Sequence, residues 1–550
     1  MFKPMHSAMQ KLPIGIQNFE KLRGSDYLYV DKTEVIYNLV HDASVYFLSR
    51  PRRFGKSLLC STLKAYFEGK RELFRGLAIE RLETEWQQYP VLYFDFNGQI
   101  YDGGMGLRTI LHDHLKGWES IYGIDTPSDF DLLPVENQSV ILSRRFYSLV
   151  VKIHEQTGKR VVVIVDEYDK PLLESFGNDD AQEQSRGLFK GFFGNLKKLD
   201  EHLQFVFFTG VTKFSKVSIF SDLNHLRDIS LNEKYETICG ISGDELLSNF
   251  NEHISALAKH NNISYDECVA RMKRNYDGYH FSERMTDMYN PFSILNALDD
   301  GKFNYYWFAT GTPTFLVKRL ASIRNSFDFK RLTVGVPVSM SEITDYRPDN
   351  ENIVPLLYQS GYLTIKSFNA RRAAFTLAYP NEEVKYGMLN SLAPAVTDRS
   401  DTTISLVDMR KALKNKDIDA MMLILKSVYA SLPYIKPVYR EDMDEEDRQD
   451  VLNKYIERDF QNVIYIFFLL MGQPTYSEVQ NNLGRADCIV ETDNYVYLFE
   501  FKVEASAEEA LEQIRKHEYA TRYAADTREV ICVGVNFGRR KRNITEWKIG

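Results

Sequence analysis

Hydrophobic and polar positions change period several times along this 550-residue chain. The first apolar run, "SVYFLS" at 44–49, is short and rich in strand formers, and "KSLLCSTLKAYFEG" at 56–69 follows with helical spacing and a terminating glycine. "VLYFDFN" at 91–97 reads as another strand. "RVVVIVDEYDKP" at 160–171 holds five consecutive β-branched residues, as a strand buried on both faces requires, and ends in two adjacent acids. "LQFVFFTGVTKFS" at 203–215 is a further apolar strand with a polar end. Helical spacing returns over 231–330, and 352–384 reads as a short helix followed by a hairpin turning near "NARR". Towards the C-terminus the period becomes 2. Over 495–503, Val496, Leu498, Glu500 and Lys502 share one face, while Tyr497, Phe499 and Phe501 share the other. A Ser506/Glu509 capping box then announces a helix.

A chain of this length exceeds one ordinary core at about 100 to 200 residues per domain, so the reading is modular. Four spans are expected: 1–230, 231–330, 331–450 and 451–550, with the acidic run "EDMDEED" at 441–447 as a solvated hinge before the last. Hydrophobic residues make up 44% and charged residues 26%, with no repeat or low-complexity tract, which fits a folded globular chain. The five cysteines are scattered with no CxxC pair, which argues against a zinc or disulfide framework and for a reducing compartment. The N-terminus lacks the apolar stretch of a secretory signal. The longest apolar run, "VIYIFFLLMG" at 463–472, falls short of the roughly 20 residues that span a bilayer. The expected location is the cytoplasm, with no membrane partner and with self-association into a homo-oligomer left open.

A net charge of -8 excludes a generally basic nucleic-acid binder but not a local basic channel. Arg52/Arg53, Arg371/Arg372 and "RRKR" at 539–542 are the local basic clusters, each of which reads most simply as a solvated turn. The helix and basic-tipped hairpin of 352–384 suggest a winged helix, which in ATPases packs within the protein as often as it contacts DNA.

The run at 44–69 gives strand, loop and helix in the order a phosphate-binding loop requires. Gly55 would let the backbone approach the phosphates, Lys56 would reach the β and γ phosphates, and Ser57 would hold Mg²⁺ at the helix N-terminus. Arg50 stands where the first glycine is expected, and Pro51 stiffens the loop. The acids after the buried strand complete the pattern: Asp166 would bind Mg²⁺ and Glu167 would polarise the attacking water. Thr209, at the tip of the strand in 203–215, is the candidate sensor of the γ-phosphate, although a threonine capping a turn reads the same way. Arg52 and Arg53 are candidate charge stabilisers within the loop.

"LPIGIQNFEKLRGSDYLYVDKTEVIYNLV", "RPRRFGKSLL", "VVVIVDEYDKPL" and "FTGVTKFSKVSIFSDLNHLRDIS" resemble, in order, the bacterial AAA-ATPase-like family carrying RPRRFGK[ST], over roughly 11–230. The resemblance implies a P-loop NTPase of the additional-strand class with a parallel sheet, binding ATP. It also implies that arginine in place of the first glycine is the usual form there, and that "YVDKT" at 29–33 lies near the adenosine. From the residues alone, Asp31 or Thr33 equally caps the next helix.

In "GRADCIVETDNYVYLFEFKVEASAEEALEQIRKHEYA" at 484–520, a two-residue turn at Asp493-Asn494 would pair Thr492 with Tyr495 and, counting outward, bring Asp487 opposite Glu500. Like charges facing one another destabilise a hairpin unless a cation or proton lies between them. Mg²⁺ is the economical explanation, and Lys502 on the same face could position water or offset phosphate charge. A one-residue slip would put the acids on opposite faces and remove the argument.

The spacing Asp-x(12)-Glu-x-Lys resembles the PD-(D/E)xK nuclease superfamily, and "GRADCIV", "FEFKV", "ALEQI" and "VGVNF" resemble the nuclease domain that follows this ATPase, over about 451–550. The resemblance implies a restriction-endonuclease-like α/β domain with Asp487 and Glu500 as metal ligands, Lys502 catalytic and Gln513 an accessory phosphate or water contact. It further implies an acid from the preceding helix, Glu457 before Asp459. The expected whole is an α/β protein: a P-loop ATPase, a helical lid, a winged-helix-like connector and a nuclease acting on nucleic acid, DNA foremost. The alternative is a nucleotide-switched regulator or scaffold whose nuclease fold only grips nucleic acid or a partner.

Overall fold

The computed structural model describes residues 9–98, 101, 105–125, 130, 133–175, 178–213, 223, 225–309, 316, 320, 331–344, 352–388, 402–430, 460–465, 467–468, 475–480 and 485–550. Two compact units form, one from 1–307 with 335–383 and the other from 308–334 with 384–550. The segment read as a winged helix, 352–384, thus folds almost entirely with the N-terminal unit.

The first unit is built on a five-stranded sheet of β1 (Val45–Ser49), β2 (Val91–Asp95), β3 (Val161–Asp166), β4 (Leu203–Gly210) and β5 (Arg227–Asp228). Its order is β2-β3-β4-β1-β5 with every pair parallel, so β4 is inserted between the strands that end in the glycine-lysine loop and in the paired acids. Burial follows position in the sheet. Central β3 is buried at all six residues, whereas β2 at the edge alternates between buried and half-buried. The short β6 (Ile241–Ser242) and β7 (Met288–Tyr289) pair antiparallel and hold together the helices 243–300.

Beside these, β8 (Val336–Ser339), β9 (Thr364–Asn369) and β10 (Ala374–Ala378) form an antiparallel sheet in the order β8-β10-β9, preceded on β9's side by the helix Val354–Gln359. The turn between β9 and β10 carries Arg371 and Arg372, as the hairpin reading expects. That reading did not include β8, whose four residues are too few to show a period.

The second unit centres on β11 (Thr475–Gln480), β12 (Arg485–Glu491), β13 (Tyr495–Val503), β14 (Glu529–Gly538) and β15 (Asn543–Ile549), ordered as numbered. Only β13 and β14 run parallel, joined through the helix Ala507–Lys516. Gly534 permits that crossover to lie close: a Cβ there would stand 2.2 Å from the Ala507 carbonyl oxygen. The helix buries Leu511 and Ile514 against Ile489, Val496 and Leu498, leaving its charged face to solvent. Among the described residues no helix is long and apolar enough to cross a membrane.

Candidate functional site

The loop after β1 delivers Lys56 to the start of the helix Lys56–Phe67, with Gly55 at φ 93°, a left-handed conformation that suits glycine. Lys56 Nζ donates to the carbonyls of Arg50 (3.1 Å) and Pro51 (3.2 Å) and lies 3.8 Å from Glu167 Oε1. Arg50 points away from this loop into the protein, at 1% exposure. Its guanidinium donates to the carbonyls of Ser49 (3.0 Å), Ser230 (2.8 Å) and Tyr235 (3.2 Å) and lies over the Phe281 ring at 4.1 Å. Where a glycine would leave the loop loose, an arginine fastens it to the helical region, and burial lowers the guanidinium's pKa. Two further ties act on the same loop. The Gly240 amide donates to the Phe54 carbonyl at 3.1 Å, and Gly361 abuts Pro51 so closely that a Cβ would stand 2.5 Å from its ring. Arg53 stacks on Phe292 at 4.3 Å.

Asp166, at the end of β3, is 1% exposed, and burial, followed by the neighbouring Glu167, raises its pKa to about 6, against a Ser57 hydrogen bond that lowers it. Tyr93 on β2 donates to its Oδ2 at 3.3 Å, and its Oδ1 is buried with no hydrogen-bond partner. A buried carboxylate oxygen beside Ser57 and Lys56 fits a hydrated Mg²⁺ with a nucleotide phosphate. Glu167 takes φ 55°, a left-handed conformation costing roughly 1–3 kcal/mol for a non-glycine residue. Asp169, two residues on, is fully buried. Its Oδ2 accepts from the amides of Val211 (3.0 Å) and Thr212 (2.6 Å) and from the Thr212 hydroxyl (2.7 Å). It ties the acid-bearing turn to the end of β4, and Gly210 leaves the room it needs.

An apolar cavity of about 100 Å³ borders this loop, lined among others by Tyr29, Lys32, Phe54, Leu58, Thr62 and Leu295. Lys32 Nζ pairs there with Glu245 at 2.6 Å. Asp31 turns elsewhere, one residue before Lys32 at the N-cap of the helix Thr33–Asp42: its Oδ1 accepts from the Thr33 amide (2.8 Å) and hydroxyl (2.6 Å).

In the second unit the register follows the sequence count. Thr492 donates to the Tyr495 carbonyl at 2.8 Å, and Glu491, Val490, Ile489 and Cys488 face Val496, Tyr497, Leu498 and Phe499. Asp487 and Glu500 come next on the two strands, just past the last paired residues, Cys488 and Phe499. There the Phe501 amide donates to Asp487 Oδ2 at 2.8 Å, and Glu500 is 1% exposed. Lys502 Nζ lies 3.8 Å from Glu500 Oε1 and donates to Gln513 Oε1, so the crossover helix holds the lysine on the acids' face. Among the described residues no group of three or more acids, histidines or cysteines could hold a metal. Two facing carboxylates nevertheless fit a cation that retains several waters.

Comparison with known proteins follows these two sites. A family model described as predicted AAA-ATPase matches residues 13–220, and one for the PD-(D/E)XK nuclease superfamily matches 456–547. The uncharacterized protein in the vnfD 5' region of Azotobacter chroococcum mcd 1 is 33% identical over 544 residues, covering 97% of this chain and 98% of that one. The chain belongs to the AAA-ATPase-like family. No solved structure matches.

For this AAA-ATPase-like chain, the structure brings together Gly55, Lys56, Ser57, Asp166 and Glu167 in one place and Asp487, Glu500, Lys502 and Gln513 in another. Arg52 contributes its carbonyl, which accepts from the Trp307 indole N–H at 3.1 Å. Thr209 is fully buried and donates to the Leu48 carbonyl at 3.0 Å, so its hydroxyl joins β4 to β1. Glu457 and Asp459 lie outside the described residues. Asp169, Trp307 and Glu383 were not singled out in the sequence. Asp169 could have been found as the third acid of "DEYD", whereas the other two carry no local signal.

Proposed function

We propose that this protein is a nucleotide-gated, Mg²⁺-dependent nuclease acting on DNA. The observation that carries this reading is the half-buried Asp487 beside the buried Glu500 on neighbouring strands, with Lys502 on the same face as Glu500. Folding alone disfavours two carboxylates facing one another, so the pairing makes chemical sense around a divalent cation. Asp487 and Glu500 would hold that cation, with Glu457 as a further ligand, and the bound ion supplies Lewis-acid charge to the scissile phosphate. Lys502, steadied by Gln513, orients the attacking water and offsets charge building on phosphate oxygens.

In the N-terminal unit, Lys56 would exchange the carbonyls of Arg50 and Pro51 for the β and γ phosphates of ATP, while the helix N-terminus and Gly55 receive the anion. Ser57 and Asp166 would hold Mg²⁺, Glu167 would position the hydrolytic water, and Arg52 and Arg53 would offset charge. Thr209 would transmit the state of the site through β4, beside Asp169. The apolar cavity against Tyr29 and Leu58 suits the adenine ring.

The experiment is cleavage of circular and linear DNA by the purified chain, with and without Mg²⁺ and ATP, beside Glu500→Ala and Lys56→Ala. Metal-dependent cutting, lost in the first variant and altered in the second, is the expected result. Cutting by Glu500→Ala at the wild-type rate would refute it, and DNA binding without cutting would favour a regulator that only grips nucleic acid.

A further inference from the structure

The "RRKR" stretch is the turn between β14 and β15, and the parallel pairing of β13 with β14 decides where that turn lies. Glu500 faces Gly534, Lys502 faces Asn536 and Val503 faces Phe537, so β14 runs past the acids and leaves the sheet beside Lys502. Arg540 begins three residues beyond the Phe537 pair, roughly 10 Å along the strand direction at ~3.3 Å per residue. An extended arginine or lysine therefore works within a few nucleotides of whatever phosphate Lys502 touches, given one phosphate per ~3.4 Å of axis on each strand.

The turn is firmly mounted. Arg539 donates its amide to Glu504 Oε1, the Glu504 amide donates to the Phe537 carbonyl at 2.9 Å, and the Ala505 amide donates to Asn536 Oδ1 at 3.0 Å. From its far side Asn543 donates to the Lys426 carbonyl at 3.0 Å. Several other cations of this unit are already matched: Arg515 and Lys548 with Glu508, and Arg528 with Asp526 and Glu491. Arg540 and Lys541 are exposed, and neither has an ion pair or hydrogen bond among the described residues. In a chain of net charge -8, two unmatched cations on a rigid turn next to paired carboxylates are suited to a polyanion that must also enter the acidic site.

We propose that the turn 539–542 is a backbone clamp for nucleic acid, gripping phosphates beside the cleavage site through Arg540 and Lys541. This rests on the nuclease reading of Asp487, Glu500 and Lys502. The shared chemistry is the phosphodiester chain, so the test compares DNA with RNA.

Full-length Glu500→Ala protein is titrated against a labelled DNA duplex and an RNA of the same length between 50 and 200 mM salt, with and without Arg540→Gln and Lys541→Gln in the same chain. Loss of two phosphate contacts predicts an affinity at least about five-fold weaker and a log–log salt slope shallower by about 2 on the preferred nucleic acid. Unchanged affinity and slope on both substrates would overturn the clamp. So would an equal loss from Arg515→Gln, which would report net charge alone. Turn-dependent capture of poly-glutamate without any effect on nucleic acid would reassign the surface to an acidic protein. Cleavage by the wild type is scored separately. Cutting with turn-independent binding sinks the clamp and keeps the nuclease, and turn-dependent binding with no cutting does the reverse.

Discussion

The indole N–H of Trp307 donates to the carbonyl of Arg52 at 3.1 Å, so a residue some 250 positions away holds the middle of the phosphate-binding loop. The Trp307 amide is itself fixed by Glu383 at 2.9 Å. Trp307→Phe keeps the ring and removes the donor. At about 1 kcal/mol for a neutral hydrogen bond, ATP should bind roughly five-fold more weakly. A fluorescent-nucleotide titration checks this, and an unchanged Kd would mean that the loop does not depend on the indole.

Glu383 is 1% exposed and accepts from Ser293 at 2.6 Å, yet burial raises its pKa to about 7. Its pKa in the unfolded chain is about 4.3. The folded state therefore holds the proton between those values while the unfolded state releases it, and stability falls as pH rises from about 4.5 to 7. Glu383→Gln carries no such charge. The wild type should lose ground to the variant across that window, by as much as about 3 kcal/mol, and the difference should level off above it. Urea midpoints at five pH values would show it, and a constant gap would contradict it.

Gly210 sits where β4 meets Asp169, and a Cβ there would stand 2.3 Å from Asp169 Oδ1 and 2.8 Å from Tyr168 Cδ1. Both neighbours are buried, so neither can swing into solvent. Gly210→Ala should destabilise the N-terminal unit by about 1–3 kcal/mol, as overpacking does. Because Asp169 must shift, ATP turnover should fall further than stability alone explains. Thermal unfolding with parallel turnover measurements separates the two, and a variant matching wild type in both would refute the tie.

Much of this architecture was legible because strong periods marked it. Five β-branched residues gave β3, and the alternation over 495–503 gave β13 together with the face that Glu500 shares with Lys502. The hairpin count from Thr492–Tyr495 matches the observed register out to Cys488 and Phe499, the pair next to Asp487 and Glu500. Less legible was everything created by packing between distant segments. Arg50 looked like a flaw in a phosphate loop because its partners, Ser230, Tyr235 and Phe281, lie 180 residues or more away. β8 was too short to announce itself. The arrival of 335–383 against Pro51 depended on Gly361, a glycine with no local signature for that approach.

The carboxylate pair makes a prediction with opposite signs in two conditions. Without metal, Asp487 faces Glu500 at the cost of like-charge repulsion, about 0.2–1 kcal/mol for a cross-strand pair and more where burial reduces screening. Asp487→Asn removes one charge, and its amide oxygen can still accept from the Phe501 amide that Asp487 Oδ2 takes at 2.8 Å. In EDTA the variant should therefore melt higher than wild type. Adding Mn²⁺ or Mg²⁺ should raise the wild-type melting temperature as the ion binds the folded form only, while the variant, left with one carboxylate, gains little. The order of the two proteins then reverses. Differential scanning calorimetry of the second transition, with and without metal, reads both halves. A variant that melts below wild type in EDTA would remove the repulsion argument, and a metal response retained by Asp487→Asn would move the cation elsewhere.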